Sequence, residues 1–295
     1  MVSATGKRVL QITPALAIIG FFMVAPLLLM AYVSILQKGL NGGVVWDSIT
    51  PEAYVNFIFE RDLDDSLILN TDYLQIFARS FGLSLLTAVL ALAIGFPTAL
   101  YMSMQPEGRR NLLIFLVTIP FWTNLLVRNY AWILLLRNGG LVENLLHWLG
   151  ISDQPLGLLY TPYAVSIGLT YSYLPFMVLP IYASLEKMDS RLIEAAFDLG
   201  ADRKRALTRV ILPLAAPGIA AGCVLVFVPA LGAYVTPELL GGGKSMMIGN
   251  LIQSQFGAAR NWPFGAALAF ALLAIVLLAM MAYLLRFRRA PAGGH

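Results

Sequence analysis

The sequence predicts an all-α membrane protein with six transmembrane helices and both termini on one side. Three observations carry this. First, 59% of the 295 residues are hydrophobic and only 12% are charged, about half the charged share of a soluble domain. Second, six stretches are free or nearly free of Asp, Glu, Lys and Arg, and each exceeds the about 20 apolar residues a helix needs to cross a bilayer. Third, the charges between those stretches alternate in sign from one side to the other.

The six stretches are residues 9–37, 80–106, 111–136, 154–185, 210–237 and 261–285. The first follows Lys7 and Arg8 but exceeds the usual hydrophobic region of a signal peptide, and no small-residue cleavage site follows it cleanly. It reads as a retained helix. The third is interrupted only by Arg128. Prolines recur inside the spans, at Pro97, Pro120, Pro175, Pro180, Pro213, Pro217 and Pro229. Each removes a backbone donor and can kink a helix, which membranes tolerate where neighbours or a cavity satisfy the freed groups. Gly218 and Gly222 have the G-x-x-x-G spacing that lets two helices approach closely.

Loop charges set the expected orientation. The termini and the loops after spans two and four hold Lys7, Arg8, Arg109, Arg110, Lys187, Arg191, Arg203, Lys204, Arg205, Arg209, Arg286, Arg288 and Arg289, 13 of the 20 basic residues. Retained Lys and Arg mark the cytoplasmic side, so both termini are expected there. The opposite side carries ten of the 16 acidic residues, seven of them in the loop before span two. These are Asp47, Glu52, Glu60, Asp62, Asp64, Asp65 and Asp72. That loop, about residues 38–78, is expected to hold short helices. A second external stretch, Leu141–Gly150, spaces Leu141, Leu145, Leu146 and Leu149 helically beside His147 and Trp148, as in a short interfacial helix. The net charge of +4 follows from loop topology and calls for no nucleic acid.

Chemistry of the enzymatic kind is not visible. Cys223 is the single cysteine and lies in an apolar run, and His147 and His295 have no partners at metal-ligand spacing. Residues 241–245, GGGKS, look like a phosphate-binding loop, but the earlier glycine of G-x-x-x-x-G-K-[ST] is replaced by Glu238 and no strand leads in. Ser166 and Ser172 have no base nearby in sequence. An ion-coupled carrier, the rival of a different class, would place acidic or histidine relays inside the membrane, and none is present.

The most informative segment is the basic loop 187–209 and its continuation to Pro213. Ser190 can cap a helix that carries Leu192, Ile193, Ala196 and Phe197 on one face and stops at Gly200, a residue suited to the left-handed terminal conformation. Asp202 can cap a second short helix over Arg203, Lys204 and Arg205. Helices this short are marginal alone in water, and their apolar face needs a partner.

Glu194-Ala195-Ala196, then Gly200, then Val210-x-Leu212-Pro213, resembles the EAA signature of the permease subunits of ABC importers. Leu207 stands where many members have an aromatic, and Val210 where isoleucine is common. The resemblance implies the type I importer fold, with a first helix and external loop (1–75), a five-helix core (76–286) and a cytoplasmic tail (287–295). It implies that Glu194, Ala195, Ala196, Phe197 and Gly200 dock on a cytoplasmic ATPase, that ATP and Mg are used by that partner and none is bound here, and that the chain sits in the bacterial inner membrane. Two ATPase subunits, a second permease making a heterodimer and a periplasmic substrate-binding protein complete the implied assembly.

Residues 120–132, 229–242, 249–256 and 260–269 narrow the resemblance to the first permease subunit of the spermidine/putrescine branch. Opine, amino-acid-derivative, thiamine and iron importers share the machinery and stand as alternative cargoes. A polyamine site wants carboxylates and aromatic faces, the latter through cation–π contacts. Glu238, Tyr234, Trp132, Tyr171 and Tyr173 are candidates, with Gln253 and Gln255 as neutral partners. Arg128, with Asn124, Asn129, Tyr130 and Trp132 around it, has two readings. It is a gate at the external end of the pathway, or an interfacial residue snorkelling its charge to water.

Overall fold

A computed structural model describes residues 4–61, 67–151, 154–189 and 191–288, with the side chains of residues 4–12, 60–61, 67 and 282–288 not described. Ser190, Asp62, Asp64, Asp65, Arg289 and His295 therefore lie outside the described residues, as do the side chains of Lys7, Arg8, Glu60, Arg286 and Arg288. The chain forms two compact units, residues 1–74 with 251–295, and residues 75–250.

In chain order, α1 (Ala4–Ser34) is followed by β1 (Leu36–Lys38), β2 (Val44–Ile49), α2 (Glu52–Ile58), β3 (Phe59–Arg61) and β4 (Leu67–Leu69). The long helix α3 (Thr71–Ser103), α4 (Glu107–Trp122), α5 (Leu125–Leu136), α6 (Leu141–Trp148) and α7 (Pro162–Leu185) come next. Then come α8 (Arg191–Asp198), α9 (Arg203–Ala206), a π-helical turn (Leu207–Ile211), α10 (Leu212–Leu231), α11 (Val235–Gly241), α12 (Ile248–Phe256) and α13 (Trp262–Arg288). Among the described residues, five helices are long and apolar enough to cross a membrane, and a sixth span results if α4 and the segment after it count as one broken crossing.

In the first unit, α13 packs along α1 and against α2 and β1. The acidic loop, expected to hold short helices, has one, α2, and two antiparallel hairpins, β1–β2 and β3–β4. Val44-Val45-Trp46 supplies the β-branched and aromatic run that favours extended backbone. The Trp46 ring stacks on Tyr32 with centroids 6.4 Å apart, and the Tyr32 hydroxyl donates to the Trp46 carbonyl at 3.2 Å. Glu52 and Asp72 stand in the first turns of α2 and α3, where a negative charge complements the helix dipole.

In the second unit the core is built around α7. Met177, Val178 and Ile181 are fully buried and pack with Ala91, Ala99 and Met102 of α3 and with Ala215 and Val226 of α10. Small residues set the separations. A Cβ at Gly218 would stand 2.4 Å from the Pro180 carbonyl oxygen and 2.9 Å from the Ile181 Cα, backbone atoms that cannot swing aside. Gly222 meets Met177 in the same way, at 2.8 Å from its sulfur. The G-x-x-x-G pair is thus the seam between α10 and α7. At one end of α7 the Arg110 guanidinium, from the start of α4, lies 3.4 Å from the Glu186 carboxylate.

Two spans depart from the continuous helices expected. The third is broken between Trp122 and Leu125, and the segments on either side meet at 93°. Pro120 weakens the last turn of α4. Thr123 and Asn124 are extended, and the Asn124 side chain accepts from Leu126 N at 2.8 Å, capping the new helix. The fifth span ends at Leu231 rather than Pro237, because Gly232 and Ala233 leave the helix and α11 starts afresh at Val235. At its other end, α9 is not a separate short helix but the start of one continuous run, Arg203–Leu231. Pro213 explains the π turn. It has no N–H for the Arg209 carbonyl and its ring crowds that group, so the ladder widens.

The seam yields a test. Gly218→Val inserts two methyls and a Cβ against fixed backbone, and overpacking of this kind costs about 1–3 kcal/mol. The thermal unfolding midpoint of the detergent-solubilised protein should fall. An unchanged midpoint would show that α7 and α10 are not in contact there.

Candidate functional site

The two broken spans converge on one cavity of about 420 Å³ in the second unit. Phe121, Leu125 and Arg128 line it from the α4–α5 break, Ser172, Tyr173 and Phe176 from α7, and residues 232–236 from the α10–α11 break together with Pro229. A helix end leaves its last carbonyls without intrahelical donors, and in hydrocarbon each such group is costly. The Tyr173 hydroxyl donates to the Pro229 carbonyl at 3.3 Å, answering one of them. Phe176 holds the aromatic wall, its ring 5.2 Å from Phe121 and 6.2 Å from Tyr173.

The α10–α11 break is held by Asn250, which is buried. Its side-chain amide donates to the Tyr234 carbonyl and to the Glu238 carboxylate, each at 2.8 Å, and its oxygen accepts from Met247 N at 3.3 Å. Ser80, also buried, receives Ile248 N at 2.8 Å and so fixes the start of α12.

The residues singled out from sequence divide accordingly. Arg128, Tyr173 and Tyr234 line the cavity. Asn124 is an exposed helix cap just outside its lining. Trp132 and Tyr171 face each other edge-on at 5.6 Å, a packing contact between α5 and α7 rather than an open aromatic cage. Glu238 is exposed, one turn beyond Tyr234, with Asn250 on its carboxylate. Gln253 and Gln255 belong to the unit of the termini. Phe121, Phe176 and Asn250 were not singled out. Phe176 follows Tyr173 at helical i, i+3 spacing, which was the available signal, whereas nothing local distinguishes Asn250.

Arg128 is the one charged residue of the lining. Its Nε and Nη1 are enclosed and meet no acceptor among the described residues.

The loop on the basic side has the geometry its residues require. Gly200 is left-handed, φ 79°. Its N–H donates to the Phe197 carbonyl and that of Ala201 to the Ala196 carbonyl, both at 2.9 Å, the paired bonds of a glycine-terminated helix. Asp189 accepts from Arg191 N at 3.0 Å at the other end, and Asp202 caps the next helix through Arg205 N at 2.7 Å. Ile193 packs on the core. Leu192, Phe197 and Leu199 are exposed, Leu199 to 89%, as are Glu194 and Ala195.

The glycine-lysine run 241–245 follows a helix, α11, not a strand. Gly242 is left-handed, φ 56°, and a Cβ on it would stand 2.4 Å from the Tyr160 ring, so its glycine serves a tight cap. Among the described residues no group of His, Cys, Asp and Glu is placed to hold a metal ion.

Comparison with known proteins adds three findings. The profile of the family described as binding-protein-dependent transport system inner membrane component matches residues 8–290. The chain is 42% identical over 231 residues to the spermidine/putrescine transport system permease protein PotB of Salmonella typhimurium, covering 78% of this chain and 80% of the relative. It is 41% identical over 263 residues to PotB of Haemophilus influenzae, covering 89% and 88%. Among solved structures, a bacterial ABC transporter involved in the import of the acidic polysaccharide alginate superposes with a TM-score of 0.72 at 18% identity, covering 97% of this chain and 98% of that one. That likeness is one of fold.

Proposed function

The chain belongs to the family of binding-protein-dependent transport system inner membrane components, and from that premise we propose that it is the first permease subunit of an ATP-driven polyamine importer. It is a multi-pass inner-membrane protein and a transport subunit rather than an enzyme. Importers of this family work with ATPase subunits and a periplasmic binding protein. The finer assembly proposed is a heterodimer with a second permease and two ATPase copies, with ATP and Mg held by those partners.

The observation that carries the cargo is the likeness to two spermidine/putrescine permeases over most of the chain. The pathway proposed runs through the cavity at the two helix breaks. It has aromatic faces at Phe121, Tyr173, Phe176 and Tyr234, suited to passing an alkylammonium through cation–π contacts. It has no carboxylate in its lining, which suits passage more than retention. Glu238, one turn outward from Tyr234, is the carboxylate an incoming ammonium would meet first.

The coupling step proposed uses α8. Exposed Leu192, Phe197 and Leu199 offer the ATPase an apolar face beside Glu194, Ala195 and Ala196, and the glycine-terminated end at Gly200 holds the helix at a fixed angle to the α9–α10 run. ATP-driven closure of the ATPases would push that run and rock α10 against α7. Residues 186–209 and both termini would then be cytoplasmic, with the hairpins outside.

Two measurements test this. ATP-dependent uptake of labelled spermidine or putrescine into vesicles holding the complete transporter should be seen. Glu238→Gln, which keeps size and an acceptor for Asn250, should weaken it without affecting assembly. Uptake of neither amine with a working binding protein would sink the cargo. Separately, Gly200→Val forces a β-branched residue into a left-handed backbone, a strain of about 1–3 kcal/mol confined to a site where a Cβ meets no neighbour. The variant should insert and fold but lose ATPase association or uncouple hydrolysis from uptake. Normal coupled transport would refute both the docking role and the orientation.

A further inference from the structure

Arg128 is half-buried, yet its Nε and Nη1 are enclosed and meet no acceptor among the described residues, which points to a partner outside this chain. An arginine stays protonated under all conditions a membrane offers. A buried charge is costly to leave unpaired and is normally met by an opposite charge. The lining has no Asp or Glu, and its other polar groups are the hydroxyls of Ser172, Tyr173, Tyr234 and Thr236. The Tyr173 hydroxyl donates to the Pro229 carbonyl, and Glu238 already carries Asn250. Of the lining, Phe121, Leu125 and Tyr234 are also exposed, so this rim offers a partner apolar and aromatic faces beside a cation.

We propose that Arg128 pairs with a carboxylate on a membrane helix of the second permease subunit, which covers this rim when the pathway is closed. The inference rests on the permease-pair reading given above. Charge complementarity selects the occupant. Lipid tails would match the rim but leave the guanidinium unanswered, and a lipid phosphate belongs at the interface, where a snorkelling head group would meet it. A polyamine cannot serve, being a cation itself. It can compete, however, because an ammonium entering the cavity binds the same carboxylate that Arg128 holds. Arrival of substrate therefore loosens the contact that closes the pathway, and Arg128 excludes small cations while the carboxylate is occupied. Arg128 is in this sense a positioning residue, acting through its partner group.

The cross-linking arm uses the complete transporter without substrate, so it does not depend on cargo, and the charge exchange is read only where the unaltered transporter takes up polyamine. Arg128→Lys keeps the positive charge and supplies an amine that dicyclohexylcarbodiimide, a reagent that reaches carboxylates at membrane depth, joins to an adjacent carboxylate as an amide. Mass spectrometry should find this amine joined to one Asp or Glu in a membrane span of the second permease. Arg128→Glu should lower uptake tenfold or more, the order expected for breaking a buried charge pair. Changing the cross-linked carboxylate to arginine in the same transporter should restore it. A cross-link to a carboxylate of this chain, no cross-link at all, or a charge exchange that restores nothing would overturn the proposal. Failure of polyamine uptake with the cross-link present would instead count against the cargo alone.

Discussion

Hydrocarbon offers a backbone no hydrogen-bond partners, and the rest of this structure follows from that constraint. A helix crossing the membrane satisfies itself, so most of the chain is helix. Where a helix stops at membrane depth, its orphaned carbonyls and amides must be met by side chains or line a cavity. Two of the described helix breaks, between Trp122 and Leu125 and between Leu231 and Val235, line the same cavity. Asn124 caps one break, and Tyr173 and Asn250 answer the other.

That arrangement links packing to function. The Gly218–Gly222 seam presses α10 closely against α7 over the half of α10 nearer the coupling loop, while the other half ends at the cavity. The run from Arg203 to Leu231 is continuous, so one element joins the loop at Gly200 to the cavity wall. A displacement at Gly200 has a rigid path to Pro229 and Gly232. The π turn ahead of Pro213 widens its ladder, and Pro217 and Pro229 each remove a donor from it. A stiff lever with its fulcrum at a close-packed glycine seam is what the proposed coupling requires.

Much of this was legible in the residues because it depends on local chemistry. Charge-free runs gave the spans, Gly200 and Asp202 gave the loop's two helix ends, and G-x-x-x-G spacing gave the α7–α10 seam. What escaped depends on contacts distant in sequence. The α4–α5 break looks like ordinary apolar helix except for Pro120 and a Thr-Asn pair whose capping role appears only once the chain turns. Trp132 and Tyr171 are good cation–π residues in composition, but across α5 and α7 they satisfy each other. Glu238 is a free carboxylate in sequence and an Asn250 partner in space. The acidic loop reads as solvated connector, yet Val44-Val45-Trp46 pairs with Leu36–Lys38 as a hairpin whose Trp46 ring rests on Tyr32.

The central claim is that the two helix breaks enclose a water-accessible passage at membrane depth that opens alternately to each side. Ser172 lines the cavity, whereas Leu278 on α13 is 68% exposed on a helix of unbroken apolar sequence. With Cys223 replaced by serine, the thiol introduced by Ser172→Cys in the assembled transporter should react with a membrane-impermeant maleimide. The side from which the reagent reaches it should switch between the nucleotide-free and the ATP-bound state. The thiol introduced by Leu278→Cys should stay unreactive in both. A Ser172→Cys thiol as inert as the one at position 278, or reactive from the same side in both states, would contradict the account.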